Sequence, residues 1–132
     1  MGRTRPCDPS IRSGRFAKAV AFLDAAAAIE PLVESRSLED AFVTLCVHAG
    51  IAAADSICCA RLGVHASGDR HADAIDLLDR VDRHAARSLA TLLGMKTRAG
   101  YSDLRVTRAD LTRAGRAARA LVDAARATVG GV

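Results

Sequence analysis

The stretch SLEDAFVTLCVHAGIAAADSICCARLG, residues 37–63, carries the clearest helix signals of the chain. Apolar residues recur in it at three- or four-residue intervals, which is the spacing of one buried face of an α-helix. These residues are Phe42, Leu45, Ala49, Ala53 and Ile57. The letters SLED match a capping box, in which the Ser37 hydroxyl accepts from the amide of Asp40 and the Asp40 carboxylate reaches back. Because Gly63 is a C-terminal stop signal, we predict a helix that ends there.

The composition favours helices in the rest of the chain as well. Its 132 residues are the size of one domain, and they are 50% hydrophobic but only 3% aromatic. Alanine, the strongest helix former, makes up about a fifth of the chain, and such small side chains let helices approach closely. We find no run of alternating β-branched residues that would predict a strand. The sequence therefore predicts an all-α protein, a bundle of closely approaching helices.

A first helix is predicted from Gly14 to about Glu30, where Pro31 kinks or ends it. Its apolar stripe consists of Phe16, Val20, Leu23 and Ala27. Residues 1–13 contain two prolines, several charges and no periodicity, so they are interpreted as a flexible basic arm. The helical bundle domain is then expected over residues 14–129.

Two further helices are predicted beyond Gly63. One is capped by Asp69 and turns a run of apolar residues inward: Ile75, Leu78, Val81, Ala85, Leu89 and Leu92. The last begins with a second capping box, TRAD at 107–110, and reaches about Val129. Its inner arc contains Leu111, Ala114, Ala118, Leu121, Val122, Ala125 and Val129, and its outer arc contains Arg108, Arg113, Arg116, Arg119 and Arg126. We therefore expect a basic outer stripe on this helix.

The charge is unevenly distributed along a chain whose net charge is +4. Both ends of the chain are basic and the middle is acidic. This pattern suits an anionic ligand, a complementary subunit surface or two solvated faces. RNA could bind the arginine stripe through its phosphates, although no aromatic residue is interleaved to stack bases.

The four cysteines are predicted to be reduced. Their spacing is not that of a disulfide framework, and no secretory segment precedes them, so a cytoplasmic protein is expected. No apolar run approaches the roughly 20 residues that cross a bilayer, so we expect no membrane association. Cys46 and His48 would project about 200 degrees apart on a helix, and Cys58 and Cys59 about 100 degrees apart. We therefore expect no metal and no cofactor, and we interpret these cysteines as small core residues.

The turn TRAGYSDLRV, residues 97–106, offers a candidate ligand site. Arg98 could grip a phosphate while Tyr101 stacks on or hydrogen-bonds a base, and Asp103 could complete the cluster. Alternatively, the Tyr101 ring packs under the turn and Arg98 pairs with Asp103. Both interpretations place the three residues close together.

Two segments resemble the HEPN domain family of small prokaryotic helical bundles. In residues 45–78 an alanine-rich helix ends at Gly63, a polar loop runs to Gly68, and His71 and Ala74 open the next helix as GxxHxxA. From Arg98 onward, RAGYSDLRVTRADLTRAGRAARALVDA is similar to the RxxxY or RxxDY turn of the family and the amphipathic helix after it. The resemblance covers roughly residues 15–129. It implies a four- to five-helix up-down bundle, usually dimeric.

The resemblance also implies two branches of function. Catalytic members cleave RNA without a metal, using an arginine followed by four to six residues and then a histidine. In this chain Arg61 and His65 have only three residues between them, as do Arg80 and His84, and no histidine follows Arg98. The chain is therefore more similar to the non-catalytic branch, whose members are proposed to hold nucleotides or to partner a nucleotidyltransferase.

His71 and its neighbour Arg70 are the remaining candidates. They could contact a ligand or a second subunit, or His71 could simply cap the loop through backbone carbonyls. We predict a HEPN-like binding or interaction module, associated with a nucleotide or RNA or forming one part of a toxin–antitoxin pair, and a homodimer. The alternative is a metal-independent ribonuclease in which His71 works with an arginine of the facing subunit.

Overall fold

The computed structural model describes residues 2–130, and within them the protein is an all-α bundle with one two-stranded sheet. The elements, in chain order, are β1 (Thr4–Pro6), α1 (Pro9–Ile29), α2 (Val33–Arg36), α3 (Glu39–Leu62), β2 (Val64–Ala66), α4 (His71–Asp79), α5 (Arg83–Leu93), α6 (Lys96–Gly100) and α7 (Arg108–Gly130). A 3-10 turn, Glu30–Leu32, joins α1 to α2. The predicted fold class is confirmed.

Helix α3 forms the core of the bundle. It packs against α1, α7, α5 and α6, and most of its residues from Phe42 to Cys59 are buried. A helix that is covered on all sides is expected to be largely apolar, which explains why small and aliphatic residues dominate α3. By length and composition α3 could span a membrane, contrary to our expectation for any segment, but 72% of its most apolar window is buried inside the bundle. The apolar character of α3 is therefore accounted for by the core.

Small residues on α3 set how closely its neighbours approach. A Cβ atom added at Gly50 would overlap the side chain of Leu92 on α5 and lie 3.1 Å from Cδ1 of Leu121 on α7. Both leucines are fully buried, so neither can move into solvent. Gly50 is therefore a point where α3, α5 and α7 pack closely.

We expect Gly50→Ala to lower the free energy of unfolding by about 1–3 kcal/mol, because the added methyl overpacks a closed core. The matched control is Gly14→Ala on α1, where an added Cβ meets no atom within 4 Å. That change should raise stability by about 0.5–1 kcal/mol, since alanine loses less backbone entropy in a helix. Urea unfolding followed by circular dichroism measures both. A Gly50→Ala protein as stable as the control would contradict the close approach.

The structure corrects the predicted flexible arm over residues 1–13 for all of its residues but Met1, which lies outside the described residues. Residues 4–6 form β1, which pairs antiparallel with β2, and α1 already begins at Pro9. The Asp8 carboxylate caps α1 by accepting from the amide of Ile11 at 2.8 Å, and Pro9 occupies the first turn, where its missing N–H costs nothing. Of the two prolines in the predicted arm, Pro6 therefore belongs to a strand and Pro9 to a helix start.

A disulfide joins Cys7 to Cys59, 52 residues later, so the prediction of reduced cysteines is wrong for this pair. Its geometry depends on the β1–β2 pairing, which brings the start of the chain to the end of α3. Cross-linking a loop of that length is worth about 4 kcal/mol in the chain-entropy account. Cys46 and Cys58 are free and buried, which confirms their interpretation as core residues.

The start of α3 differs from the predicted capping box. Ser37 adopts a left-handed conformation at the end of α2, and Leu38 stands at the cap position with no side-chain cap bond. The Asp40 carboxylate turns instead to the other end of the chain, where Oδ1 accepts from the backbone amide of Val106 at 2.9 Å. This bond ties the first turn of α3 to the segment that leads into α7.

Replacing Asp40 with alanine should lower the free energy of unfolding by about 1–3 kcal/mol, because the amide of the buried Val106 would lose its acceptor. Asp40→Asn keeps an acceptor oxygen and should restore most of that loss. As a control, Asp103→Ala removes an exposed carboxylate from the same turn and should change stability by less than about 0.5 kcal/mol. Thermal and urea unfolding would compare the three variants; equal stabilities for Asp40→Ala and Asp103→Ala would refute the tie.

The predicted third helix is broken into α4 and α5. Asp82 caps α5 by accepting from the amide of Ala85 at 2.9 Å, and Asp69 caps no helix, since Arg70 stands at the start of α4. The break between α4 and α5 is three residues long, so the apolar residues on its two sides keep nearly the spacing of a single helix. For this reason the sequence pattern did not reveal Asp82 as a cap.

The predictions for the ends of α3 and α7 are confirmed. Gly63 ends α3 with a positive φ of 73 degrees. The Thr107 capping box is formed in both directions, with the Asp110 amide donating to Thr107 Oγ1 and the Thr107 amide donating to Asp110 Oδ2, each at 3.1 Å. The inner arc of α7 is buried or half-buried along its length, and the arginines of the outer arc are exposed.

Candidate functional site

The turn between α6 and α7 does not gather its candidate residues. Tyr101 is 77% exposed, and Asp103 is exposed and lies 3.5 Å from the Ser102 hydroxyl. Arg98 donates from Nη1 to the carbonyl oxygen of Arg105 at 3.1 Å and makes no ion pair with Asp103 among the described residues. Neither the ligand cluster nor the packed alternative that the sequence suggested is present. Arg98 instead closes the turn across seven residues.

Arg98 also lines a shallow cavity of about 410 Å³ beside the α7 capping box. The pKa of Asp110 in that box is lowered, first by the hydrogen bond from the Thr107 amide and to a smaller extent by the charges of Arg113 and Arg98. Arg98 therefore stabilises the helix start that follows the turn. This is a structural role for a residue that the sequence presented as a ligand contact.

A second cavity brings together the other two candidates. Arg70 and His71 line a space of about 320 Å³ between the β2–α4 loop, α3 and α5, together with Asp55 of α3 and Lys96 of α6. Its apolar wall consists of Ile51, Ala54, Ala66, Ala74, Leu89 and Leu93. We refer to this space as the Asp55 cavity. Arg98 lines the other cavity, and Tyr101 and Asp103 line neither. The candidate residues from the sequence therefore do not form a single site.

Asp55 was not foreseen as a site residue. Its side chain is only 16% exposed, and Oδ2 accepts a hydrogen bond from Nε of Arg15 on α1 at 3.0 Å. Nη2 of Arg15 lies 2.9 Å from the same oxygen in the ion pair. No described residue forms a hydrogen bond with Oδ1. The available sequence signal was a single carboxylate in the apolar run IAAADSI, on the helix that the chain buries most completely. A buried carboxylate of this kind is costly unless it is paired, which Arg15 achieves.

Burial raises the pKa of Asp55 above its ordinary value of 3.8, while the Arg15 guanidinium and then His65 oppose that rise. His65, on β2, places Nδ1 2.8 Å from the carbonyl oxygen of Ala66, which fixes the orientation of its ring. Perturbed carboxyl groups in cavities are common at functional sites, although ion pairs in the core also produce them. Asp55 belongs to an ion pair of the second kind, and it also lines a cavity.

The cavity can hold a polar ligand of mixed character. Lys96 and Arg70 supply cationic donors, and the His71 ring can donate or accept a hydrogen bond. The carboxylates of Asp55 and Asp69 can accept an N–H. Arg70 is loosely held, since its side chain is 81% exposed and its Nε lies 3.9 Å from Asp73. Across residues 2–130 no group of three or more His, Cys, Asp or Glu side chains is placed to bind a metal ion. The lining therefore offers a ligand hydrogen-bond donors, hydrogen-bond acceptors and charge.

Comparison with known proteins assigns this chain to no group: no family model matches its sequence, and neither a curated protein nor a solved structure is similar to it.

The two perturbed carboxyl groups should have opposite effects on the pH dependence of stability. Asp55 has a raised pKa in the folded state, so the folded protein holds its proton more tightly than the unfolded chain does. Its ionisation therefore costs stability as the pH rises from 3.8 through the folded pKa. Asp110 has a lowered pKa, so the stability that it contributes is present above 3.8 and is lost as the pH falls through its folded pKa.

Unfolding measured from pH 3 to 7 in wild type, Asp55→Asn and Asp110→Asn separates these effects. The free energy of unfolding of wild type minus that of Asp55→Asn should decrease with rising pH. The corresponding difference between wild type and Asp110→Asn should increase. Slopes of the same sign in the two differences would contradict the assigned environments.

Proposed function

We propose that this chain is a HEPN-like helical binding module whose site is the Asp55 cavity and whose ligand is a small phosphate-bearing molecule of the nucleotide class. One observation carries the proposal: Arg70 and His71 line one cavity with Lys96 and a half-satisfied carboxylate. Three groups that can donate to phosphate oxygens stand beside two carboxylates, Asp55 and Asp69, which can accept from other parts of the ligand. The bundle architecture and the loop from Gly63 to His71 agree with the resemblance.

The lining suggests how such a ligand would lie. Its phosphate would contact Lys96, His71 and Arg70, since charge-assisted donors of this kind favour phosphate oxygens. Oδ1 of Asp55 would accept from the amino group of a base, as carboxylates do for cytosine N4. Leu89 and Leu93 would contact the flat face of the base. A volume of about 320 Å³ is at the lower end of ligand pockets, roughly 300–1,000 Å³, which suits one nucleotide better than a strand.

The ribonuclease alternative has less support. General acid–base cleavage needs groups that both remove and supply a proton at the reacting phosphate. Within the described chain His71 is the one histidine that lines the Asp55 cavity, and Arg70 points largely into solvent. A facing subunit would have to contribute the missing group. The binding experiment below therefore includes an assay for RNA cleavage.

The proposal includes a homodimer in the cytoplasm, with a nucleotidyltransferase or a toxin–antitoxin partner as further possibilities for the assembly. Tyr101 and Leu104 leave large apolar surfaces, 77% and 54% exposed, on one short turn. Pairing there would bury surface that the thin alanine-lined bundle does not cover. Light scattering during size exclusion should then give twice the chain mass of 13.8 kDa.

Lys96→Ala and His71→Ala should each weaken the binding of cytidine monophosphate at least tenfold, since a hydrogen bond to a charged group contributes about 1.5–3 kcal/mol. Isothermal titration calorimetry measures the Kd. Arg98→Ala, which alters the other cavity, is the matched control and should change Kd less than about twofold.

Two further titrations test the orientation. Free cytidine should bind more weakly than its monophosphate, and Asp55→Asn should reduce the preference for cytidine monophosphate over uridine monophosphate, whose base lacks the amino group. An equal loss of affinity for cytidine monophosphate in Arg98→Ala and Lys96→Ala would argue against the Asp55 cavity as the binding site. Cleavage of single-stranded RNA by wild type, abolished by His71→Ala, would favour the ribonuclease instead.

A further inference from the structure

The segment before α1 is held to the bundle by few contacts. All three residues of β1 are exposed, and one of them is Pro6, which has no amide hydrogen to donate. Beyond the short ladder with β2, the amide of Cys7 donates to the carbonyl of Gly63 at 2.9 Å and the amide of Ser67 donates to that of Arg3 at 3.0 Å. None of residues 2–8 belongs to the hydrophobic core. The Cys7–Cys59 disulfide is therefore the strongest link between this segment and the helices.

The segment covers one side of α4. Gly2, Arg3 and Thr4 line a cavity of about 390 Å³ whose opposite wall is formed by Asp73, Asp76, Leu77 and Arg80. Ala66 of β2 borders this cavity as well. If residues 2–8 left, the open edge of β2 and this face of α4 would meet solvent.

The helices have their own attachments near the disulfide. Arg15 of α1 is paired with Asp55 of α3, one turn before Cys59, so these two helices stay joined when the sulfurs separate. The core residues Ala19 and Ala26 of α1 do not depend on the disulfide either. Breaking the bond should therefore free the segment without unfolding the bundle.

Only one pair of cysteines is suited to exchange. Cys46 and Cys58 are buried, and burial raises the pKa of each thiol to about 12, so neither forms the thiolate that attacks a disulfide. Cys7 is partly exposed whereas Cys59 is buried, so an external thiolate reaches the Cys7 sulfur first. In reducing compartments, disulfides that do form are usually transient and redox-sensing.

We propose that Cys7 and Cys59 form a redox clasp, which holds residues 2–8 against β2 and α4 when oxidised and releases them when reduced. In the reducing step a dithiol thiolate attacks the Cys7 sulfur, the Cys7–Cys59 bond breaks, and Cys59 takes a proton. The second thiol of the reagent then displaces Cys7, which also takes a proton, so two electrons pass from the dithiol, which leaves as a cyclic disulfide. A low-molecular-weight disulfide reverses the exchange. This clasp goes beyond the proposed nucleotide site and does not depend on it.

Hydrogen exchange of the whole chain, read by mass spectrometry with and without dithiothreitol, tests the clasp. Reduction should speed exchange at least tenfold for peptides that contain the Cys7 and Ser67 amides, since local opening then exposes them. Peptides from the middle of α3 and α7 should change less than about twofold. Cys7→Ser should resemble the reduced protein and ignore the reductant, whereas the matched control Cys58→Ala should respond as wild type does.

N-ethylmaleimide labelling without denaturant gives an independent reading. Cys7 should be labelled only after reduction, and Cys46 and Cys58 should stay unlabelled. Unchanged exchange in residues 2–8 and 63–68 on reduction would overturn the clasp. So would faster exchange throughout α3 and α7, or labelling of Cys46, because the whole bundle would then have opened. Loss of the response in Cys58→Ala would also overturn it, since the exchanging partner would be Cys58.

Discussion

The close approach of other helices to α3 is the constraint on which the structure depends. This helix is covered by α1, α5, α6 and α7, and at Gly50 there is no room for a side chain because Leu92 and Leu121 already occupy it. Close packing of this kind gives a small protein with few aromatic residues enough contact to hold a single arrangement. It also makes a charged group on α3 costly unless it is paired.

Asp55 is the principal example. Its carboxylate is placed on the most buried helix, where charge is unfavourable, and Arg15 compensates by reaching across from α1. The pair fixes α1 against α3, and Asp55 also lines the cavity that Arg70, His71 and Lys96 line. One side chain therefore joins two helices and borders the proposed binding site. Asp40 is similar, because its carboxylate satisfies the amide of Val106 across 66 residues of chain.

The sequence predicted some residues of the site and missed others. Arg70 and His71 do line a cavity. They were found from the sequence because the glycine signal at Gly63 and the polar loop after it predicted the start of α4 to within two residues. The cluster of Arg98, Tyr101 and Asp103 did not form, since the short helix α6 directs Tyr101 into solvent and Arg98 to a backbone carbonyl. Asp55 and Lys96 were missed because neither stands in a motif, and only the packing of α3 against α5 and α6 brings them to the same space.

The sequence by itself determined the helices with strong local signals: the apolar periodicity of α3, its stop at Gly63, and the α7 start at the Thr107 capping box. These features depend on hydrogen bonds and side-chain spacing within a few residues, so they can be predicted from the sequence alone. Tertiary structure alone decided the β1–β2 pairing, the Cys7–Cys59 bond, the partner of Asp40 and the lining of the Asp55 cavity. Each of these joins residues far apart in the chain, and which distant groups meet is set by how the helices pack.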